Sequence, residues 1–288
     1  MKIYLNGTFV DRSKAVLSVF DHGLLYGDGV FEGIRAYNGL IFKLQEHIDR
    51  LFESAHTVMI KVPMSKDELI NVVRRSIRVN RLRDAYIRLV VTRGVGDLGL
   101  DPRKCSQPSV FVIADKIELY PKQLYEQGLP LITVATQRNV PEALNPQIKS
   151  LNYLNNILAK IEAITAGFEE AILLSHSGYV TECTGENIFT VKGRQLLTPP
   201  PYIGVLRGIT RQTVMELGAK QRLTVREDLL TRHDLFNADE VFLTGTAAEI
   251  IPVVKIDGRV IGQGKPGPVT KQLRSAFHQV TKTDGVRY

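Results

Sequence analysis

A lysine, a glutamate and two glycine–threonine segments stand in order in the second half of this sequence: Lys149 in PQIKSLNYLNN, Glu182 in YVTECTGENIF, then VLRGITRQ and FLTGTAAEI. They supply an amine, a carboxylate and clusters of backbone and hydroxyl donors, the set required by an aldehyde ligand that also carries a phosphate and a pyridine ring. Lys149 precedes a helical pattern and has Ile148, Leu151, Tyr153 and Leu154 around it. Partial desolvation there is expected to lower its pKa and free a nucleophilic amine for a Schiff base. Tyr153, four residues on and so on the same helical face, is placed to donate its hydroxyl to a ring oxygen. Taken singly, the lysine reads as a solvated charge and the tyrosine as core packing.

Glu182 sits in a segment poor in charge, an expensive place for a carboxylate without a partner. A protonated pyridine nitrogen would be such a partner, since an opposite charge at contact distance shifts a pKa by about 1–3 units. Gly208, Ile209 and Thr210 open a helix, whose unpaired N–H groups and positive dipole end attract an anion. Arg50, Thr210 and Thr246 would complete a phosphate cup. The bland readings are a surface ion pair for Glu182, simple capping for the helix start and a surface charge for Arg50.

The elements that must position these groups follow from turn chemistry and periodicity. Asn6-Gly7 and Asn38-Gly39 divide apolar runs as tight hairpins, so the chain starts as antiparallel sheet. Helical spacing from Gln45 to Met59 and a Ser65/Glu68 capping box predict two helices covering it. AYIRLVVTR and PSVFVIAD read as buried strands, and the stretch around Pro121, Gly128 and Pro130 reads as a domain boundary. The expected organisation is a small domain at 1–119, a linker at 120–131 and a larger domain at 132–288 that carries the lysine. In the latter, NYLNNILAKIEAITAG and GITRQTVMELG predict helices, Asp257-Gly258 a hairpin, and Pro268 to Thr281 a last helix. The fold class is mixed α+β.

At 288 residues and 44% hydrophobic, the chain can bury a sizeable core. Its formal charge of +7 would suit nucleic acid, anionic lipid or a phosphorylated ligand. The densest basic run, Arg74 to Arg83, lacks interleaved aromatics and reads as a solvated helix face, so nucleic-acid binding is disfavoured. Two cysteines outside any C-x-x-C spacing and an N-terminus without a signal-peptide core point to a reduced, cytoplasmic setting. No apolar run reaches bilayer length, and the six histidines form no ligand-spaced cluster, so neither membrane nor metal is expected.

From YLNG through HGLLYGDGVFEGIRAY, EHIDRL, AYIRLVV, IKSLNYLNN, TECTGENIF, GITR and GTAAEI, the chain resembles the class IV aminotransferases, which use pyridoxal phosphate. Within them it is most similar to the branched-chain amino acid aminotransferases. The resemblance implies a two-domain fold type IV enzyme like the D-amino acid aminotransferases. It implies Lys149 as the Schiff-base lysine, Glu182 at the pyridine nitrogen and Tyr153 at the ring oxygen. Phosphate contacts fall to Arg50, Gly208, Ile209, Thr210 and Thr246. On the substrate side it implies Tyr26, Phe31, Arg35, Tyr86, Arg88 and the backbone at Thr246 and Ala247, with Tyr26 reaching the neighbouring subunit of a homodimer or higher oligomer such as a hexamer. Arg88 would pair glutamate's distal carboxylate. The segment YPKQLYEQG differs in length from related ones, which leaves Tyr120 open.

The implied activity is ping-pong exchange of an amino group between branched-chain L-amino acids and 2-oxoglutarate, with Lys149 as anchor and general acid/base. A D-amino acid aminotransferase is the nearest rival. The segment GVGDLGLDPRKC resembles the branched-chain group, and no Arg-x-His carboxylate trap is present. An aminodeoxychorismate lyase, a noncatalytic pyridoxal-phosphate carrier and a nucleic-acid module are more distant alternatives.

Overall fold

Asn6 and Gly7 have φ of 44° and 100°, and Asn38 and Gly39 have 43° and 89°, the left-handed backbone that a two-residue hairpin needs. They join β1 (Lys2–Leu5) to β2 (Thr8–Asp11) and β3 (Gly29–Tyr37) to β4 (Leu40–Phe42) in the computed structural model, which describes residues 1–288. With β5 (Ala85–Thr92), β6 (Ser109–Asp115) and the last strand of the chain, β16 (Gly285–Arg287), they form a seven-stranded sheet in the order β16-β4-β3-β5-β6-β1-β2. The short helix α1 (His22–Leu25) leads into β3.

Helices α2 (Leu44–Thr57) and α3 (Lys66–Val79) cover one face of this sheet. Ser65 caps α3 reciprocally with Glu68, an arrangement worth about 1 kcal/mol. Ile48, Leu51, Leu69, Val73 and Ile77 bury against Val30, Ile34, Ile87 and Leu89, each such side chain contributing about 1.5–3 kcal/mol. Strand alternation then sorts β3: Val30, Glu32, Ile34 and Ala36 share the helix-covered face, while Phe31, Gly33 and Arg35 take the other. In register with the latter are Val90, Arg88 and Tyr86 of β5. In the basic run, Arg74 donates to the Arg287 carbonyl at 3.1 Å and Arg75 lies 5.2 Å over the Phe9 ring.

The chain falls into two units, one made of Met1–Ile117, Ile148–Asn152 and Thr281–Tyr288, the other of Glu118–Gln147 and Tyr153–Val280. Both boundaries differ from the sequence expectation. Pro121 and Gly128, read as breakers in a linker, are instead the N-cap and C-cap of helix α4 (Lys122–Gln127), and β7 (Leu129–Thr133) follows at once. Lys149 lies with the first unit, because Phe31 N–H donates to the Lys149 carbonyl at 2.9 Å and Ser150 bridges to Val30.

The second unit continues through α5 (Pro141–Leu144), α6 (Leu154–Thr165), β8 (Glu170–Leu174), β9 (Val180–Cys183), β10 (Asn187–Lys192) and β11 (Gln195–Thr198). It ends with α7 (Ile209–Lys220), β12 (Thr224–Glu227), α8 (Arg232–Phe236), β13 (Glu240–Gly245), β14 (Glu249–Ile256), β15 (Arg259–Val260) and α9 (Pro268–Val280). Its strands form a nine-stranded sheet in the order β12-β11-β10-β13-β14-β7-β8-β9, with β15 on β14. Asp257 and Gly258 make the expected hairpin turn. Helix α6 is turned inside out relative to its pattern. It buries Asn156, Ala159 and Ala163, while Leu154, Ile157, Leu158, Ile161 and Ile164 are all exposed by half or nearly so. No helix is long and apolar enough to cross a membrane.

Candidate active site

In the first unit, Lys149 is pinned in extended chain. Its N–H donates to Ser54 Oγ at 3.2 Å, and its carbonyl accepts from Phe31. The helix begins only at Leu154, with Tyr153 as its N-cap, so the shared helical face expected for Lys149 and Tyr153 does not exist. Strand pairing with β3 overrides the helical spacing. The result brings Lys149 Nζ to 4.5 Å from the Phe31 ring centroid, and Arg88 Cζ lies 4.2 Å from the same ring and 5.9 Å from that of Tyr86. Gly33 is needed here, since a Cβ on it would fall 2.2 Å from the Tyr86 hydroxyl. Arg35, opposite Tyr86 in the ladder, stacks on Tyr37 at 5.1 Å. Four of the predicted substrate residues, Phe31, Arg35, Tyr86 and Arg88, thus share one face with the amine.

Arg50, expected in a phosphate cup, projects from α2 to the other face of β3. Its Nε and Nη2 bind the two oxygens of Glu32 at 2.7 and 2.8 Å, and His47 Nδ1 lies 2.7 Å from Glu32 Oε2. Burial pushes the Glu32 carboxyl up, but the Arg50 charge and His47 outweigh it and hold the pKa at about 2. Burial also keeps the His47 imidazole below its usual range, against the pull of Glu32. Because folding lowers Glu32 from 4.5, its contribution is present above pH 4.5 and is lost as pH falls toward 2. Glu32→Gln is therefore expected to cost about 3 kcal/mol at pH 7 and much less near pH 2, as read from urea midpoints at the two pH values. A pH-independent loss would contradict this.

Tyr26 is the C-cap of α1 and half exposed; its hydroxyl donates to the Leu98 carbonyl, and its ring meets His22 edge-on at 5.0 Å. It therefore ties α1 to the segment GVGDLGLD. Around it Leu24, Val95, Leu98 and Leu100 are exposed apolar side chains.

In the second unit, Glu182 on β9 is buried and accepts three donors. Arg138 Nη2 reaches Oε1 at 2.6 Å, while Asn187 Nδ2 and the Leu206 N–H each reach Oε2 at 3.0 Å. Gly208 is the N-cap of α7, and a Cβ there would lie 2.0 Å from Asn187 Oδ1, so any larger residue would push the Asn187 amide aside. Gly208 brings no side chain to the helix start, and Ile209 and buried Thr210 follow. Thr246 and Ala247 form the turn between β13 and β14. Gly245 before them packs against Glu186 and Gly185. The carboxylate, the helix start and the threonine turn are thereby gathered on adjoining elements.

Tyr120, left open by the sequence, sits on a buried acid pair. Its hydroxyl lies 3.2 Å from both Glu170 and Glu186, and Lys160 Nζ is 3.0 Å from Glu170. Burial, then the Glu170 charge, raises Glu186 to about 8, and burial followed by both carboxylates pushes the Tyr120 phenol far above its normal value. A cavity of about 880 Å³ in this unit, bordered by Thr133, Arg232, His233 and Arg259, holds none of the candidate residues.

The amino-transferase class IV family model matches residues 29–256, most of the chain, and leaves α1 and Tyr26 outside the match. The chain belongs to the class IV amino-transferases. This class IV amino-transferase is 57% identical over 287 residues, 100% of its length and 99% of the relative's, to a Methanocaldococcus jannaschii protein named provisionally as a branched-chain-amino-acid aminotransferase. The D-alanine aminotransferase of Bacillus licheniformis is 39% identical over 282 residues, 96% of each. Among solved structures, the branched-chain amino acid aminotransferase from Thermobaculum terrenum in its PLP-form superposes with a TM-score of 0.89 at 30% identity, covering 97% of this chain and 93% of that one. The class IV fold is thus the two-sheet α+β arrangement found here. Glu32, His47, Arg138 and Asn187 were missed by sequence reading. Their only signal is that each must offset a charge or dipole buried elsewhere in the chain.

Proposed function

We propose that this class IV amino-transferase moves the amino group of L-leucine, L-isoleucine or L-valine to 2-oxoglutarate, giving branched 2-oxo acids and L-glutamate in two half-reactions. The observation that carries the reading is the face of β3 and β5 on which an amine, an aromatic wall and a guanidinium meet, with Lys149 Nζ and Arg88 Cζ 4.5 and 4.2 Å from the Phe31 ring. Phe31 suits an aliphatic side chain, and Arg88 suits the distal carboxylate of glutamate, which would otherwise cost several kcal/mol to bury unpaired.

The residues fit pyridoxal phosphate as cofactor, the group of the Thermobaculum terrenum holo-form. The Glu182 carboxylate has three of the about four donors it can accept, leaving a place for a pyridine N–H. The α7 start, cleared of side chains by Gly208, offers N–H groups and a positive dipole end to a phosphate. Thr244 Oγ1, buried beside the Thr246 turn, has no partner within the protein. When bound, the cofactor supplies an aldehyde for amino exchange and a ring that accepts electrons from the substrate Cα.

The chain does the rest. Lys149 anchors the cofactor and, once displaced by substrate, carries the proton at Cα. Glu182 keeps the pyridine nitrogen protonated, and Tyr153 donates to the ring oxygen. Ile209, Thr210 and Thr246 hold the phosphate, Arg50 being taken up by its pair with Glu32, and Tyr86 with the Thr246 and Ala247 backbone holds the α-carboxylate. A second copy of the chain is the natural cover for the exposed apolar side chains of α6 and those around Tyr26. We assign a homodimer or a multiple of it, in the cytoplasm.

The D-specific reading draws on the Bacillus licheniformis relative, but the Methanocaldococcus jannaschii relative is far closer in sequence. With 2-oxoglutarate as acceptor, L-leucine is expected to form glutamate at least about 100-fold faster than D-alanine, the scale on which a misplaced carboxylate or hydrogen is rejected. Turnover of D-alanine alone would overturn the assignment.

A further inference from the structure

Arg138 lies in ATQRNV, a stretch without any recognisable motif, yet its buried guanidinium reaches three parts of the proposed cofactor site. Nη2 donates to Glu182 Oε1 at 2.6 Å, and Nη1 donates to Asn156 Oδ1 at 3.0 Å in the first turn of α6, just after Tyr153. Nε donates to the Gly204 carbonyl at 3.2 Å, in the segment whose Leu206 N–H returns to Glu182 Oε2. Asn187 closes the frame by donating to both Glu182 Oε2 and the Leu206 carbonyl, each at 3.0 Å.

We propose that Arg138 is a positioning residue. It fixes the Glu182 carboxylate in one orientation toward the pyridine nitrogen, while tying it to the α6 start and to the segment that leads into α7. This rests on the assignment of Glu182 to that nitrogen. The physical argument is one of charge and geometry. Two buried charges in contact seldom add net stability compared with an apolar pair, but removing one leaves the other uncompensated. A buried carboxylate stripped of its cation relieves that cost by taking a proton, and a neutral acid no longer favours a protonated ring nitrogen. Three fixed donors also leave the carboxylate a single open direction, which is how a neighbouring shell of hydrogen bonds aims a functional group.

The test uses the full-length protein loaded with pyridoxal phosphate, with Arg138→Met and Arg138→Lys each made in the native and Glu182→Gln backgrounds. Three quantities are read: the dissociation constant of pyridoxal phosphate, the pH midpoint of its visible absorption band and the thermal midpoint of the protein. In the native background, Arg138→Met is expected to weaken cofactor binding about tenfold and raise the pH midpoint by about one unit. Arg138→Lys, which keeps the charge and guards against a folding failure, should fall between. In the Glu182→Gln background neither change should alter the two cofactor readouts. A lower thermal midpoint with both cofactor readouts unmoved would make Arg138 merely structural, and equal effects in the two backgrounds would show that it does not act through Glu182. Either result overturns the proposal. Failure of the functional reading itself is told apart in the unsubstituted protein, where it would appear as no visible band, or a borohydride label away from Lys149.

Discussion

Replacing Lys149 with alanine is expected to lower amino-group transfer from L-leucine to 2-oxoglutarate at least about 1,000-fold and to erase the visible absorption of the cofactor-loaded protein, because the role proposed for this side chain is that of both anchor and proton carrier. The fold should survive. The backbone at 149 is held through its own N–H to Ser54 and its carbonyl to Phe31, and neither bond involves the side chain. The amine itself stands over the Phe31 ring, and Lys149 is only partly buried. Steady-state rates, the absorption spectrum and circular dichroism of the variant check the three parts together. Retention of more than a tenth of the rate would remove Lys149 from the chemistry.

The second large effect concerns stability and lies at Glu186. Folding raises its carboxyl from 4.5 to about 8, chiefly by burial and then by the charge of Glu170, so the native state keeps a proton that the unfolded chain has released. The penalty is nil below pH 4.5, grows between 4.5 and 8, and is constant above that. At about 1.4 kcal/mol per pH unit it reaches on the order of 5 kcal/mol. Glu186→Gln carries no proton to retain, and its amide still meets the Tyr120 hydroxyl that lies 3.2 Å from the native side chain. The variant should therefore gain stability relative to the parent as pH rises from 4.5 to 8, read as a widening gap between denaturant midpoints. A gap that stays flat across that window would show that Glu186 titrates normally.

The sequence carried the parts of this protein whose causes are local. Hairpins at Asn6-Gly7 and Asn38-Gly39 follow from residues that tolerate left-handed backbone, and the α3 start follows from the reciprocal cap of Ser65 and Glu68. The candidate groups Lys149, Glu182 and Gly208–Thr210 were legible because each brings its own short context. What escaped depends on distant partners. Arg138 is 44 residues from Glu182, and Glu32 and Arg50 are 18 apart on different elements. The Lys149 segment has a helical spacing, yet it extends because β3 offers it backbone bonds that no helix start could match. Helix α6 shows the same override in packing, since Ala159 and Ala163 allow close approach to Ala171 and Leu173, and the larger aliphatics are left outside.

The missing side chain at position 208 has a reach beyond its own helix. An added methyl would collide with the amide oxygen of Asn187, and that same amide steadies both the Glu182 carboxylate and Leu206. A change introduced at the start of α7 would thus surface as a disturbance of the acid on β9. If the α7 start takes the phosphate and Glu182 the ring nitrogen, as proposed above, a substitution at 208 that alters phosphate capture would alter ring protonation along with it.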